Sequence, residues 1–381
     1  MLNVNQTWKK WAGMLFLALL SISVSTAQVK MTKKKSKETK AVAPQNVPMS
    51  QINDYSGYYP YVEYGKFDNG KMWTFSYPPV QYFKETYGFT PSEEWLENMR
   101  MSALRFSTYC TASFVSEDGL VMTNHHCGRQ SVTEVTKDGE DLPKDGFYAA
   151  TLEEERKVPG LFVDQLIAMK DVTSDILMAM SNGKDDDEKN KLKNEKINEL
   201  VKENETATGI KVQVHTFYNG SIYQMYTYKR YSDVRLVMAP ETDLGYFGGD
   251  PDNFTYPRYS LDYTFFRVYD EDGKPLKTKY HYTWSESGAK ENEPLFVVGN
   301  PCTTQRLSTG SMLEYYRDYT MPHTLDLLNM LGSTYKEYID SHPESKLELT
   351  DTYFGYMNSL KAYNGMHGGL KNPDLMGKRA S

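Results

Sequence analysis

From about residue 110 to residue 300, apolar and polar positions alternate in short runs, the period of half-buried strands. Residues 113–116 and 120–123 read as paired strands around the tight turn Glu117-Asp118-Gly119. Residues 146–149 and 160–169 read as further strands, the second fully buried. The alternation returns in residues 211–218, 222–228 and 233–238, with Asn219-Gly220 as a turn signal. Residues 262–269, a turn at 270–273 and a last run at 294–300 complete the set. Short strands joined by hairpin turns predict an antiparallel sheet or barrel.

Helical periodicity interrupts this texture in three places. A helix is expected to open at Pro91, capped by Thr90, and to run to Arg100. Within residues 173–205, Leu192, Ile197, Leu200 and Val201 form a sparse apolar stripe on a very polar segment, which reads as a surface helical excursion. Beyond Thr309, residues 312–319, 325–331 and 354–363 all follow the 3.6 period. The chain is therefore mainly β with an α insertion.

The amino terminus changes the compartment. Lys9-Lys10 precede the apolar run 11–21 and a small-residue stretch ending at Ala27, so residues 1–27 read as a signal peptide for export to the periplasm or beyond. Residues 28–50 read as a flexible linker, with Lys33-Lys34-Lys35 as a solvated tail. No later run approaches the ~18 consecutive apolar residues of a membrane span. With 39% hydrophobic and 24% charged residues among 381, the composition is that of a soluble protein, and a net charge of −7 gives no footprint for nucleic acid. Export permits disulfides, and three cysteines allow one bond and one leftover thiol. Cys110 and Cys127 bracket the first hairpin and would staple its ends, leaving Cys302 unpaired.

That hairpin ends in His125-His126-Cys127, a polar cluster whose burial is costly unless it is hydrogen-bonded or used. One arrangement makes His126 a general base locked beside a disulfide, with a carboxylate on its other ring nitrogen; Asp262, at the start of an apolar strand, suits that part. Zinc held by His125, His126, Cys110 and Cys127 is a rival, set back by missing ligand spacings and by the opposite directions of adjacent side chains on a strand. Two hydrogen-bonded core histidines in a binding protein remain a third reading.

Residues 111–127, Thr-Ala-Ser-Phe-Val-Ser-Glu-Asp-Gly-Leu-Val-Met-Thr-Asn-His-His-Cys, resemble the histidine motif of the bacterial serine dipeptidyl peptidases, the exported family that includes dipeptidyl peptidases 7 and 11. Residues 247–269, Phe-Gly-Gly-Asp-Pro-Asp-Asn-Phe-Thr-Tyr-Pro-Arg-Tyr-Ser-Leu-Asp-Tyr-Thr-Phe-Phe-Arg-Val-Tyr, resemble its aspartate motif. Weaker similarity covers residues 71–73, 299–301 and 358–363. The resemblance implies a chymotrypsin-like double β-barrel with an inserted helical cap. It implies a catalytic portion over 51–308 holding the first barrel and part of the second, and the start of the cap over 309–381. His126 would be the base, Asp262 its orienting acid, and Asn253, Phe254 and Asn358 the grip on the free amino end of a peptide. An amide carbonyl accepts from an ammonium, and an aromatic face attracts it. No cofactor or metal is implied, and a homodimer is compatible with the family.

The chain departs from the family in three ways. Phe254 stands where the family usually has Trp, and Cys302 where Gly is common. The family's serine in a Gly-Asn-Ser-Gly-Ser setting has no match; Ser287 and Ser311 are the nearest imitations and lack the preceding Gly-x. The expectation is the amino-terminal half of a longer dipeptidyl aminopeptidase, inactive alone, with side-chain preference set in the other half. A secreted peptide-binding module without a nucleophile and a chymotrypsin-like endopeptidase are the alternatives.

Overall fold

The computed structural model describes residues 72–246, 253, 259–301, 304 and 308–380. The expected signal peptide and linker, Phe254 and Cys302 lie outside them. Helix α1 spans Val80–Tyr87 and α2 Glu93–Ser102. The cap of α2 is Ser92, not Thr90: its hydroxyl accepts from Trp95 N at 3.1 Å, so the helix starts two residues later than its proline signalled.

Ten strands follow: β1 Ala103–Phe106, β2 Cys110–Phe114, β3 Leu120–Thr123, β4 Phe147–Tyr148, β5 Arg156–Lys157, β6 Val163–Asp171, β7 Ile210–Phe217, β8 Ile222–Tyr231, β9 Val234–Ala239 and β10 Thr264–Val268. They form one sheet in the order β4-β9-β10-β3-β2-β1-β6-β8-β7, with β5 also on β9, and every pair is antiparallel. The β2–β3 hairpin pairs Phe114 with Val121, and Gly119 takes φ +68 in its turn, a conformation costly for any residue with a Cβ.

Alternate residues of six strands meet on one face. Leu104, Phe106, Ala112, Phe114, Val121, Val163, Leu236, Phe266 and Val268 make one buried core. The path remains open from β4 to β7, so the closed barrel expected from the sequence is not seen among the described residues. The long strands explain this. Strands β7 and β8, with Val172 just after β6, build a second core with two helices, Thr173–Ser181 and Asp186–Asn204, where Ile176, Leu200, Val212, Tyr223 and Met225 are buried. The polar excursion is thus the lid of that second core, held by the sparse stripe read in the sequence.

Helix α3 spans His125–Glu134, and α4 is the short turn Thr242–Gly245. Two long helices, α5 Met321–Ser341 and α6 Lys346–Leu370, pack against each other after the last strand. Helix α3 lies directly on β10: a Cβ at Gly128 would sit 2.6 Å from Thr264 Cγ2 and 3.0 Å from the Phe266 ring. Among the described residues, no helix is long and apolar enough to cross a membrane.

The run 294–300 is not a strand, against expectation. Phe296 packs on Phe83 and Trp95, with ring centres 5.0 and 5.8 Å away, while Leu295 and Val297 are exposed. The alternation is real but no ladder forms beside it. Instead Gly299 approaches Thr111, whose hydroxyl accepts from Asn300 N at 2.8 Å.

Candidate active site

The two histidines do not end a strand. After β3, Asn124 is extended (φ −71, ψ 149) and α3 begins at His125, so both rings leave the first turn of a helix. The strand argument for opposite faces does not apply, yet the rings separate all the same. His125 is buried at 1% exposure, whereas the His126 side chain is 51% exposed.

Asp262 lies just ahead of β10, which pairs with β3, so adjacent strands bring its carboxylate to the start of α3. Its Oδ2 is 2.8 Å and its Oδ1 3.0 Å from His126 Nδ1, and Oδ1 also accepts from His126 N at 3.0 Å. Asn124 Nδ2 donates to both Oδ2 and the carbonyl of Asp262, each at 3.2 Å. Burial pushes the Asp262 carboxyl up, but the ring and backbone donors of His126 outweigh it and hold the group below the usual range. An ionised carboxylate only accepts, so the neutral imidazole must carry its proton on Nδ1, which leaves the Nε2 lone pair basic.

His125 has the opposite environment. Its ring lies against Gly245, where a Cβ would come 2.3 Å from Nδ1, and among the described residues that nitrogen has no hydrogen-bond partner. Burial first, and then the Arg129 charge, push it down to about 4. It stays neutral in the fold while the unfolded form takes up a proton near pH 6.5, so its contribution to stability is lost as pH falls from 6.5 towards 4. Between pH 7 and pH 5 the loss is expected to be about 2 kcal/mol, seen as a steeper fall in urea midpoint than in a His125→Gln variant.

Cys110 and Cys127 are joined, with Cα atoms 6.2 Å apart, so the end of the hairpin is tied to the first turn of α3. The two sulfurs and a ring nitrogen of His126 lie within 4.8 Å of one another, but bonded to each other the sulfurs offer no thiolates. Among the described residues no hydroxyl is hydrogen-bonded to His126, and neither Ser287 nor Ser311 is among its partners.

The residues expected to hold an amino end also meet. Asn253 is buried, and its Nδ2 donates to Asn358 Oδ1 on α6 at 3.0 Å and to Tyr246 Oη at 3.3 Å. Lys361 Nζ donates to the Asn253 carbonyl at 3.3 Å. Asn124, Tyr246 and Arg129 had not been singled out in the sequence; Asn124, placed before a polar run, carried a readable helix-start signal. On the other side, a cleft of about 2290 Å³ opens along Tyr109, Cys110, Asn124 and Asp262, with Trp73, Trp95 and Tyr228 in its walls.

The peptidase S46 profile matches residues 67–381. The chain belongs to the peptidase S46 family. It is 29% identical over 297 residues to the dipeptidyl-peptidase 7 of Capnocytophaga gingivalis, which covers 74% of this chain and 41% of that protein. It is 31% identical over 303 residues to an Asp/Glu-specific dipeptidyl-peptidase of Shewanella putrefaciens, covering 75% and 40%. Among solved structures, DPP11 of Porphyromonas endodontalis with the dipeptide Arg-Glu superposes with a TM-score of 0.69 at 24% identity, over 80% of this chain and 47% of that one. That likeness carries the fold. The chain spans about two-fifths of the length of these curated relatives.

Proposed function

We propose that this S46 chain supplies the base, the orienting acid and the amino-end grip of an exported serine-type dipeptidyl aminopeptidase. The observation that carries the reading is the His126 Nδ1–Asp262 pair at 2.8 Å, with Nε2 left as the free base. In the reaction, His126 Nε2 takes the proton of a serine hydroxyl as the oxygen attacks the scissile carbonyl, then returns it to the leaving amine. Asp262 keeps the ring in the Nδ1–H form and stabilises the imidazolium. The reading assigns neither the nucleophilic serine nor the group that selects the side chain next to the cut bond to a residue among 1–381.

Asn253, Phe254 and Asn358 hold the substrate's ammonium at a fixed distance from His126, which limits release to two residues. The printed names of the relatives support this reading of the reaction. The same reading treats the core of β1, β2, β3, β6, β9 and β10 as the first barrel of a chymotrypsin-like pair. Residues 294–300, strand-like in alternation but unpaired, then belong to the second. This reading calls for no metal or cofactor.

The test is a matched pair of peptides, one with a free and one with an acetylated amino end, given to a longer form of the protein that carries the downstream serine. Release of a dipeptide from the free peptide alone is the expected result. Equal cleavage of both peptides would replace the reading with an endopeptidase, and binding without cleavage would replace it with a peptide-binding module.

A further inference from the structure

Between the dyad and the amino-end grip lies a charged group that neither uses. Arg129 is three residues after His126, so both side chains leave the same face of α3. It is 9% exposed and ion-paired with Asp351 on α6. On α6, Asp351, Phe354 and Asn358 stand at i, i+3 and i+7, a single helical stripe that faces α3.

The guanidinium lies over two rings, 5.2 Å from the centre of Tyr246 and 5.4 Å from that of Phe354. Those rings stack on each other at 4.2 Å, and Tyr246 Oη accepts from Asn253. One cation therefore touches a charge, a ring stack and, through the tyrosine, the amide pair Asn253–Asn358. A half-buried ion pair of this sort is weak evidence for stability, but its fixed geometry defines a distance.

We propose that Arg129 is a positioning residue that sets the spacing between the amino-end grip and His126, so that filling the grip is sensed at the catalytic ring. The inference rests on the reading of Asn253 and Asn358 as that grip. Arg129 touches no reacting atom in this account; it joins the helix that carries the base to the helix that carries half of the grip. A shorter or uncharged side chain would leave both parts folded and let them slide relative to each other.

The experiment uses the full 381-residue chain, with Val-Ala amide and its N-acetyl twin as probes and two readouts: binding affinity and the ring resonances of His126. In the unaltered chain the free-amine probe should bind at least ten-fold more tightly than its twin and shift the His126 signals. Arg129→Met should lose most of that preference and the His126 response, and Arg129→Lys, which keeps the charge, should recover part of both. If Arg129→Met does not fold, Asp351→Asn removes the same ion pair from a side chain 39% exposed. Retention of preference and response in these variants overturns the role of Arg129. Equal binding of both probes to the unaltered chain overturns instead the reading of the grip.

Discussion

Asp262→Asn is expected to lower kcat of the serine-bearing protein by about 10⁴ while leaving the fold in place, as loss of the orienting carboxylate does in a Ser-His-Asp site. The mechanism is a tautomer exchange. Asp262 accepts from His126 Nδ1 and from His126 N, and Asn124 Nδ2 donates to it from a third side. An amide in its place can offer Nδ2 to the ring and draw the imidazole into the Nε2–H form, which has no lone pair for a serine proton. His126→Ala should cost at least as much. His125→Gln, by contrast, should leave kcat within a few-fold, because that ring is buried against Gly245 and the hydrogen bonds to the carboxylate come from His126 and Asn124. Steady-state rates on a free-amine peptide check all three, and an activity loss confined to His125→Gln would reverse the assignment.

Loss of the Cys110–Cys127 bond is expected to produce the largest change in stability. The two residues are 17 apart in sequence, and opening a loop of that size returns about 3 kcal/mol of chain entropy to the unfolded state. For a unit of this size that is a fall of roughly 4–5 °C in Tm. The bond also fixes the first turn of α3 to the root of β2, so the paired Cys110→Ala, Cys127→Ala protein should hold His126 less firmly against Asp262. Thermal unfolding of the oxidised chain, the reduced chain and the double variant is the check. Equal midpoints would mean that the contacts of Gly128 with Thr264 and Phe266 hold α3 without the staple.

Much of the scaffold could be read from local pattern. The β2–β3 hairpin, the strands β6 to β10 and the polar helices over 173–204 follow periods that depend on near neighbours, and each is found close to its expected place. The His126–Asp262 pairing was also legible, because an isolated carboxylate at a strand start and a polar end to an apolar hairpin both demand partners. What could not be read were choices made by distant contacts. The switch from strand to helix at His125 is fixed by Gly128 lying on Thr264 and Phe266. Residues 294–300 alternate like a strand, yet their backbone finds no ladder, and pattern alone cannot supply a partner. Nothing in the local sequence marks the mate of Arg129, Asp351, which lies 222 positions downstream on α6. Tyr246 and Phe354, which neighbour Arg129 and stack on each other, lie 108 positions apart in the chain, so their meeting was hidden for the same reason.

The most direct test of the central claim is the ring ¹⁵N spectrum of His126 in the 381-residue chain, followed across pH. The account predicts a protonated Nδ1 and a pyridine-like Nε2 at neutral pH, lost in Asp262→Asn, while His125 remains neutral down to about pH 4. A His126 ring protonated on Nε2, with its signals unchanged by Asp262→Asn, would contradict it.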